Sequence, residues 1–204
     1  MQILLIHGLA RTSLSLLSLE LRLKAAGYTV QHFEYFAFVE SFDQIVQHLR
    51  QRIRQLADQG SYSITAHSLG GVLVRAALGE EDLVEPIHIV MLGTPNQAPR
   101  LASLAWKIPL FRWFTGQCGF NLSSAEFYQN LPGLRSPYTI IAGTSGPRGS
   151  LSPFGDDIND GIVALDETRL AATDKILEVP TWHTFMMNHA SVQRLTLKAL
   201  GMVS

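Results

Sequence analysis

Ser68 sits in Ile64-Thr65-Ala66-His67-Ser68-Leu69-Gly70-Gly71, the stretch of this 204-residue chain best suited to covalent chemistry. Tyr62-Ser63-Ile64-Thr65 before it is β-branched and aromatic and reads as a short strand. Leu69 to Leu78 after it reads as a buried helix that stops at Gly79. A serine between strand and helix turns the chain sharply, which strains its backbone and requires small residues two positions to either side. Ala66 and Gly70 meet that requirement. The helix then aims its free N–H groups and positive dipole end at any negative charge that develops beside the hydroxyl.

A hydroxyl is a poor nucleophile unless a base takes its proton, and the base works best when a carboxylate fixes its tautomer. Asp160, in Ile158-Asn159-Asp160-Gly161-Ile162-Val163, follows a strand at 138–142. His183, in Pro180-Thr181-Trp182-His183-Thr184-Phe185, follows the last strand at 175–180. This order along the chain, serine then acid then histidine, suits a nucleophile, its orienting acid and its base. Asp156 and Asp157 are rival acids in a glycine-rich loop, and His189 is a rival base at the start of the final helix. Asp160 could instead cap a short helix beginning near it. An oxyanion would need two backbone donors: Leu69 N–H, and Leu9 N–H in the His7-Gly8-Leu9 loop, where Gly8 allows close approach. His7 and His67 read as supports. His32, His48 and His88 lie in strands or helices without ligand-like partners, so no metal site is expected, and a serine, histidine and acid working together need no organic cofactor.

These residues need a scaffold that brings strand ends together. Ile3-Leu4-Leu5-Ile6 and Pro86 to Leu92 are continuous apolar runs of the kind found in buried parallel strands, and Tyr28 to Phe33 alternates as a strand nearer a sheet edge does. Thr12 or Ser13 can cap a helix through about Ala26, and 41–58 carries Phe42, Ile45, Leu49, Ile53 and Leu56 along one helical face. Ala190 to Leu200 reads as the last helix. Strands alternating with helices imply α/β architecture: a doubly wound, mainly parallel sheet of about six strands with right-handed crossovers, in one domain over 1–204. Ligands of such sheets bind beyond the carboxyl ends of the strands, where His7-Gly8, Ser68, Gly93-Thr94-Pro95, Asp160 and His183 all fall.

Composition excludes other classes. A 47% hydrophobic content with 16% charged residues suits a globular chain with a buried sheet. Net charge is −1, and the cluster Arg50-Gln51-Arg52-Ile53-Arg54 reads as a solvated helix face, so no nucleic-acid partner is expected. The single cysteine, Cys118, allows no internal disulfide and reads as a filler residue. No run is long enough to span a membrane, and Met1-Gln2-Ile3-Leu4 lacks the basic start of a signal peptide, so a cytoplasmic location is expected.

Residues 96–136 break the strand–helix rhythm. Their most apolar part runs from Trp106 to Phe114 and offers Trp106, Phe111, Trp113 and Phe114 as substrate contacts. It suits a short helical cap over an acyl pocket, with transient contact to a lipid surface as one use, or else an ordinary helix against the sheet edge.

Four blocks give the chain a family resemblance: Leu5-Ile6-His7-Gly8-Leu9, Ala66-His67-Ser68-Leu69-Gly70, Leu92-Gly93-Thr94-Pro95-Asn96, and Asn159-Asp160-Gly161-Ile162-Val163 with His183-Thr184-Phe185-Met186-Met187. With these it resembles the α/β-hydrolase superfamily, and most closely the small lidless bacterial lipases and lipase/GPI-inositol-deacylase-like esterases. Minimal lipases of this kind also carry alanine at the position of Ala66, and their histidine precedes the last helix as His183 precedes Val192. The resemblance implies a minimal α/β-hydrolase fold lacking its first two strands, and a serine hydrolase cleaving small-molecule or lipid carboxylic esters through an acyl-enzyme on Ser68. An acyltransferase or thioesterase using the same three residues, or a catalytically silent binding protein on the same fold, are the alternatives. Residues 96–136 and 144–157 have no firm counterpart, so the match speaks to reaction type more than to specificity.

Overall fold

A computed structural model describes residues 1–80 and 82–201, leaving aside the side chains of 109–114. Its strands are β1 (Gln2–Ile6), β2 (Thr29–Phe33), β3 (Tyr62–His67), β4 (Ile89–Leu92), β5 (Tyr138–Gly143) and β6 (Ile176–Val179). They form one sheet in the order β2-β1-β3-β4-β5-β6, and every neighbouring pair is parallel. The helices are α1 (Leu17–Ala25), α2 (Phe42–Asp58), α3 (Leu69–Leu78), α4 (Arg100–Ala105), α5 (Pro109–Ser123), α6 (Ala125–Asn130) and α7 (Ala190–Gly201).

Alternation along the strands assigns the two faces. Leu4 and Ile6 of β1, with Ile64, Ala66, Ile89 and Met91, pack under α2 and α3 through Leu49, Ile53, Val72 and Leu73. Ile3 and Leu5, with Val90, Leu92 and Ile141, meet α1 and α7 through Leu19, Leu23, Val192 and Leu200. Both faces are covered, which is why residues 3–6 of β1 and all of β4 are apolar rather than alternating. Each such aliphatic side chain contributes about 1.5–3 kcal/mol by leaving water. β2 lies at one edge, as its mixed composition anticipates.

Local signals fix several boundaries. Ser41 caps α2 by accepting from the Gln44 amide, while the Gln44 side chain accepts from the Ser41 amide. The reciprocal pair satisfies two of the donors a helix start leaves free. The expected helix from Thr12 is divided: Ser13–Leu16 is a 3-10 turn, α1 begins at Leu17, and the Thr12 side chain caps nothing. The expected helix near Asp160 is absent. Asn159 and Ala164 instead form an antiparallel bridge, and the next helical turn is 3-10, over Asp166–Thr168. Asp160 spends its side chain on the amides of Ile162 and Val163, which folds the segment into a tight turn.

Between β4 and β5, residues 100–130 hold α4, α5 and α6, with α5 kinked at Gly116. Among the described residues no helix is long and apolar enough to cross a membrane.

Candidate active site

The chain runs from β1 outward to β2, then returns past β1 to β3, so the order of the sheet reverses between β1 and β3. At such a switch point the loops leave in opposite directions and open a crevice at the carboxyl ends. Ile6 lies opposite Ala66, so β1 and β3 end level and His7-Gly8-Leu9 emerges beside Ser68.

Ser68 has φ 54° and ψ −123°, a conformation that side-chain-bearing residues rarely adopt. Its amide donates to the Leu92 carbonyl at 2.9 Å, so β4 holds the strained turn in place. Gly70 is required here: a Cβ would sit 2.8 Å from the His7 carbonyl oxygen and 2.9 Å from Ile6. Among the described non-glycine residues only Ala10, at φ 53°, shares a positive φ with Ser68, and both line the same cavity. Strain of this kind costs about 1–3 kcal/mol per residue and gathers at functional sites.

His183 stands between Ser68 and Asp160. Its Nδ1 is 2.7 Å from Asp160 Oδ2 and its Nε2 is 3.0 Å from Ser68 Oγ. The carboxylate can only accept, so Nδ1 carries the proton and Nε2 is left to accept from the serine hydroxyl. Asp160 and His183 are both buried, and the His183 amide donates to the Asp160 carbonyl at 2.9 Å, which locks backbone as well as side chains. The second carboxylate oxygen, Oδ1, accepts from the amides of Ile162 at 3.0 Å and Val163 at 2.7 Å. A carboxylate so satisfied stays in one orientation. The rivals lie elsewhere: Asp157 pairs with Arg100 at 2.6 Å, Asp156 is exposed, and His189 Nδ1 accepts from the Ser191 amide at the start of α7.

The loop after β1 is held from beneath. The His7 ring stacks on Tyr35 at 4.3 Å, its Nδ1 donates to the Gly8 carbonyl, and the Tyr35 hydroxyl donates to the His7 carbonyl. Burial lowers the pKa of His7. His67 Nε2 donates to the His183 carbonyl at 3.1 Å, so this ring braces the neighbouring histidine from behind. Burial, then His183 and Arg11, hold His67 well below the usual histidine range, and it is neutral at pH 7. Leu69 opens α3, so its amide has no acceptor within the helix. Leu9 lines the cavity from the loop beside Ser68.

Over these groups lies a cavity of about 650 Å³. α4 contributes Leu101, Ala102 and Ala105 to its roof, and Ile108, Thr115 and Leu122 continue it. The insert between β4 and β5 thus lines the cavity, while its Cys118, Leu122 and Tyr128 join the core on the α2 and α3 side of the sheet. Trp106 does not line this cavity. Its ring packs instead on Phe120 of α5, at 5.6 Å between centroids. The side chains of Phe111, Trp113 and Phe114 lie outside the described residues. Among the described residues of the insert, mostly small and aliphatic side chains, whose types carried no signal in the sequence, line the cavity.

Three further residues were not singled out by sequence. Arg11 and Thr184 line the cavity. Glu167 is buried and ties the Asp160 segment to the roof: it accepts from the Ala164 amide, the Arg100 amide and Arg100 Nε. A carboxylate at the start of a helix is also favoured by the exposed amides there. No group of three or more histidine, cysteine or acidic side chains among the described residues is placed to hold a metal ion.

The sequence matches no protein-family model and no curated protein sequence. Solved structures match throughout the chain. Metagenome-derived lipolytic enzymes described as LipS and LipT superpose with a TM-score of 0.69 at 15% identity, covering 99% of this chain and 92% of theirs. RedJ, a thioesterase of prodiginine biosynthesis in Streptomyces coelicolor, gives 0.64 at 14% identity over 100% and 90% of the two chains. An extracellular α/β-hydrolase from a Paenibacillus species gives 0.63 at 17% identity over 98% of each. The chain has the α/β-hydrolase fold, in a minimal form with six parallel strands.

Proposed function

We propose that this protein is a serine hydrolase that cleaves carboxylic esters as an esterase or lipase. One observation carries the reading: His183 bridges Asp160 and a backbone-strained Ser68 at the floor of a largely apolar cavity. Ser68 Oγ attacks the ester carbonyl carbon while its proton passes to His183 Nε2, and Asp160 stabilises the imidazolium. The carbonyl oxygen becomes an oxyanion held by the amides of Leu9 and Leu69. Collapse breaks the bond to the alcohol, which leaves with the proton from His183. Water, deprotonated in turn by His183, attacks the acyl-enzyme and releases the acid and Ser68. The chain is read as one domain in which residues 96–136 form a cap. The fold likeness to lipolytic enzymes supports an ester substrate, and the likeness to RedJ admits a thioester, which the same steps would cleave.

The test is hydrolysis of p-nitrophenyl esters from acetate to palmitate, with Ser68→Ala as blank and Asp160→Asn beside it. Hydrolysis is expected to vanish in the first. In the second, the introduced carboxamide keeps its oxygen on the amides of Ile162 and Val163 and turns its NH₂ to His183, so Nδ1 must accept and Nε2 carries the proton. Such a tautomer cannot deprotonate serine, and kcat should fall by about 10⁴. Full turnover in either variant would remove the proposal.

A further inference from the structure

Arg11 carries the one permanent charge in the cavity lining among the described residues. It follows Leu9 and Ala10 in the loop after β1 and is half-buried. Its Nη2 donates to the Thr184 carbonyl at 2.9 Å, its only hydrogen bond among the described residues. Its Nε is buried and finds no acceptor. No carboxylate among the described residues pairs with it, whereas Arg100 meets Asp157, Asp166 and Glu167, and Arg50 and Arg54 share Glu80. A half-buried guanidinium with an orphaned N–H and no counter-ion is costly unless something else supplies negative charge. Its planar fork matches carboxylate and phosphate oxygens in pairs.

The position of the fork also says which end of a substrate it meets. Thr184 follows His183, the group that must hand a proton to the departing alcohol. The bond from Arg11 to the Thr184 carbonyl holds the guanidinium beside the segment that carries this histidine, in the same cavity. Among the described residues the roof, with Leu101, Ala102, Ala105 and Leu122 beside Thr115, offers mainly apolar surface and suits the acyl chain. We infer that Arg11 is a specificity determinant that binds an anionic group, phosphate or carboxylate, on the leaving alcohol of the ester. The substrate class is then an apolar acyl ester of an anionic alcohol. This rests on the serine-hydrolase reading above.

The test compares kcat/KM for three esters of one acyl chain: decanoylglycerol, decanoylglycerol phosphate and decanoyl-lactate, each below its aggregation limit. The wild-type protein is expected to favour at least one anionic ester over the neutral one by about 10- to 100-fold, the worth of one charge-assisted pair. The larger of the two ratios identifies phosphate or carboxylate as the anion. In Arg11→Met that ratio should collapse toward one, chiefly through KM. Arg11→Lys, which keeps the charge without the fork, should retain part of it and serves as the test if the methionine variant does not fold. A role confined to propping Thr184 would lower all three esters together and leave the ratio unchanged; that result, or a wild-type ratio near one, overturns the inference. Failure of the parent reading is separate: Ser68 would then resist a fluorophosphonate probe and hydrolyse no p-nitrophenyl ester.

Discussion

Gly93 touches the candidate site without belonging to its chemistry, so replacing it by alanine perturbs geometry alone. Gly93 has φ 55°, and its amide donates to the Ile141 carbonyl at 2.9 Å. A Cβ there would lie 2.9 Å from Met186 Sδ, 3.1 Å from His183 Nδ1 and 3.2 Å from Asp160 Oδ2. The methyl would therefore press on both ends of the 2.7 Å bond between His183 and Asp160. Two costs add. Holding alanine in the left-handed region costs about 1–2 kcal/mol. Forcing a methyl into a closed site costs about 1–3 kcal/mol more. A loss of about 2–5 kcal/mol in a chain of this size lowers Tm by roughly 4–20 °C.

Activity should suffer separately. Relieving the contacts requires movements of a few tenths of an ångström, and a full ångström of misplacement can cost about 10² in rate. Gly93→Ala should therefore lower kcat for a p-nitrophenyl ester by about 10- to 100-fold, with KM changed far less. The assays are steady-state hydrolysis well below the variant's Tm and thermal unfolding by circular dichroism. Gly93→Asn separates the two costs, because asparagine tolerates positive φ but brings the same Cβ. It should recover part of the Tm and none of the kcat. Wild-type kcat in either variant would refute the reasoning, since the pressure on the His183–Asp160 pair would then have no effect on turnover.

Two other perturbations follow from buried polar groups. His7, His67 and His88 are all held below the ordinary value of 6.5 by burial. The unfolded chain then takes up protons first on acidification, so their stabilisation is complete above about 6.5 and falls as pH drops toward the lowered values. Urea unfolding at about pH 7.5 and about pH 5.5 should show a loss on the acid side of up to about 1.4 kcal/mol per pH unit from His67, reduced in His67→Gln. Glu167→Ala should cost about 2–4 kcal/mol in urea unfolding, chiefly from stranding the buried amide of Ala164 and the part-buried amide of Arg100, because the Arg100 side chain is largely exposed and its ion pairs add little. A change below about 0.5 kcal/mol would show that Glu167 does not join the Asp160 segment to the roof.

The sheet was legible because its signals are local. Apolar runs of four to seven residues ending in glycine, such as Ile3 to Ile6 before Gly8, can be little else once helices separate them. The strand ends then located Ser68, Asp160 and His183, and the structure brings these three side chains together. The rest depended on contacts distant in sequence. Asp160 could in sequence also serve as a helix cap; the bridge between Asn159 and Ala164, and a histidine 23 residues on, turn its acceptor oxygens to another use. Ala10 gives no hint of a positive φ, because the conformation is imposed by the loop's packing and not by the residue. Trp106 drew attention as the large aromatic of the insert, yet a wall that must admit a ligand is made from the smaller side chains of the same helix.

This division separates reaction type from selectivity on physical grounds. Groups at strand ends inherit their positions from the sheet, whose buried faces tolerate little movement, so spacing in sequence maps onto distance in space. Arg11 lies only three residues beyond the His7-Gly8 turn, but its meaning comes from Thr184, 173 residues away, and from the absence of any carboxylate partner among the described residues. A sequence displays an arginine and cannot display that nothing neutralises it. The residues that would choose a substrate are therefore those whose role is set by what surrounds them, and the matched-ester ratio for Arg11 is a direct measure of that choice.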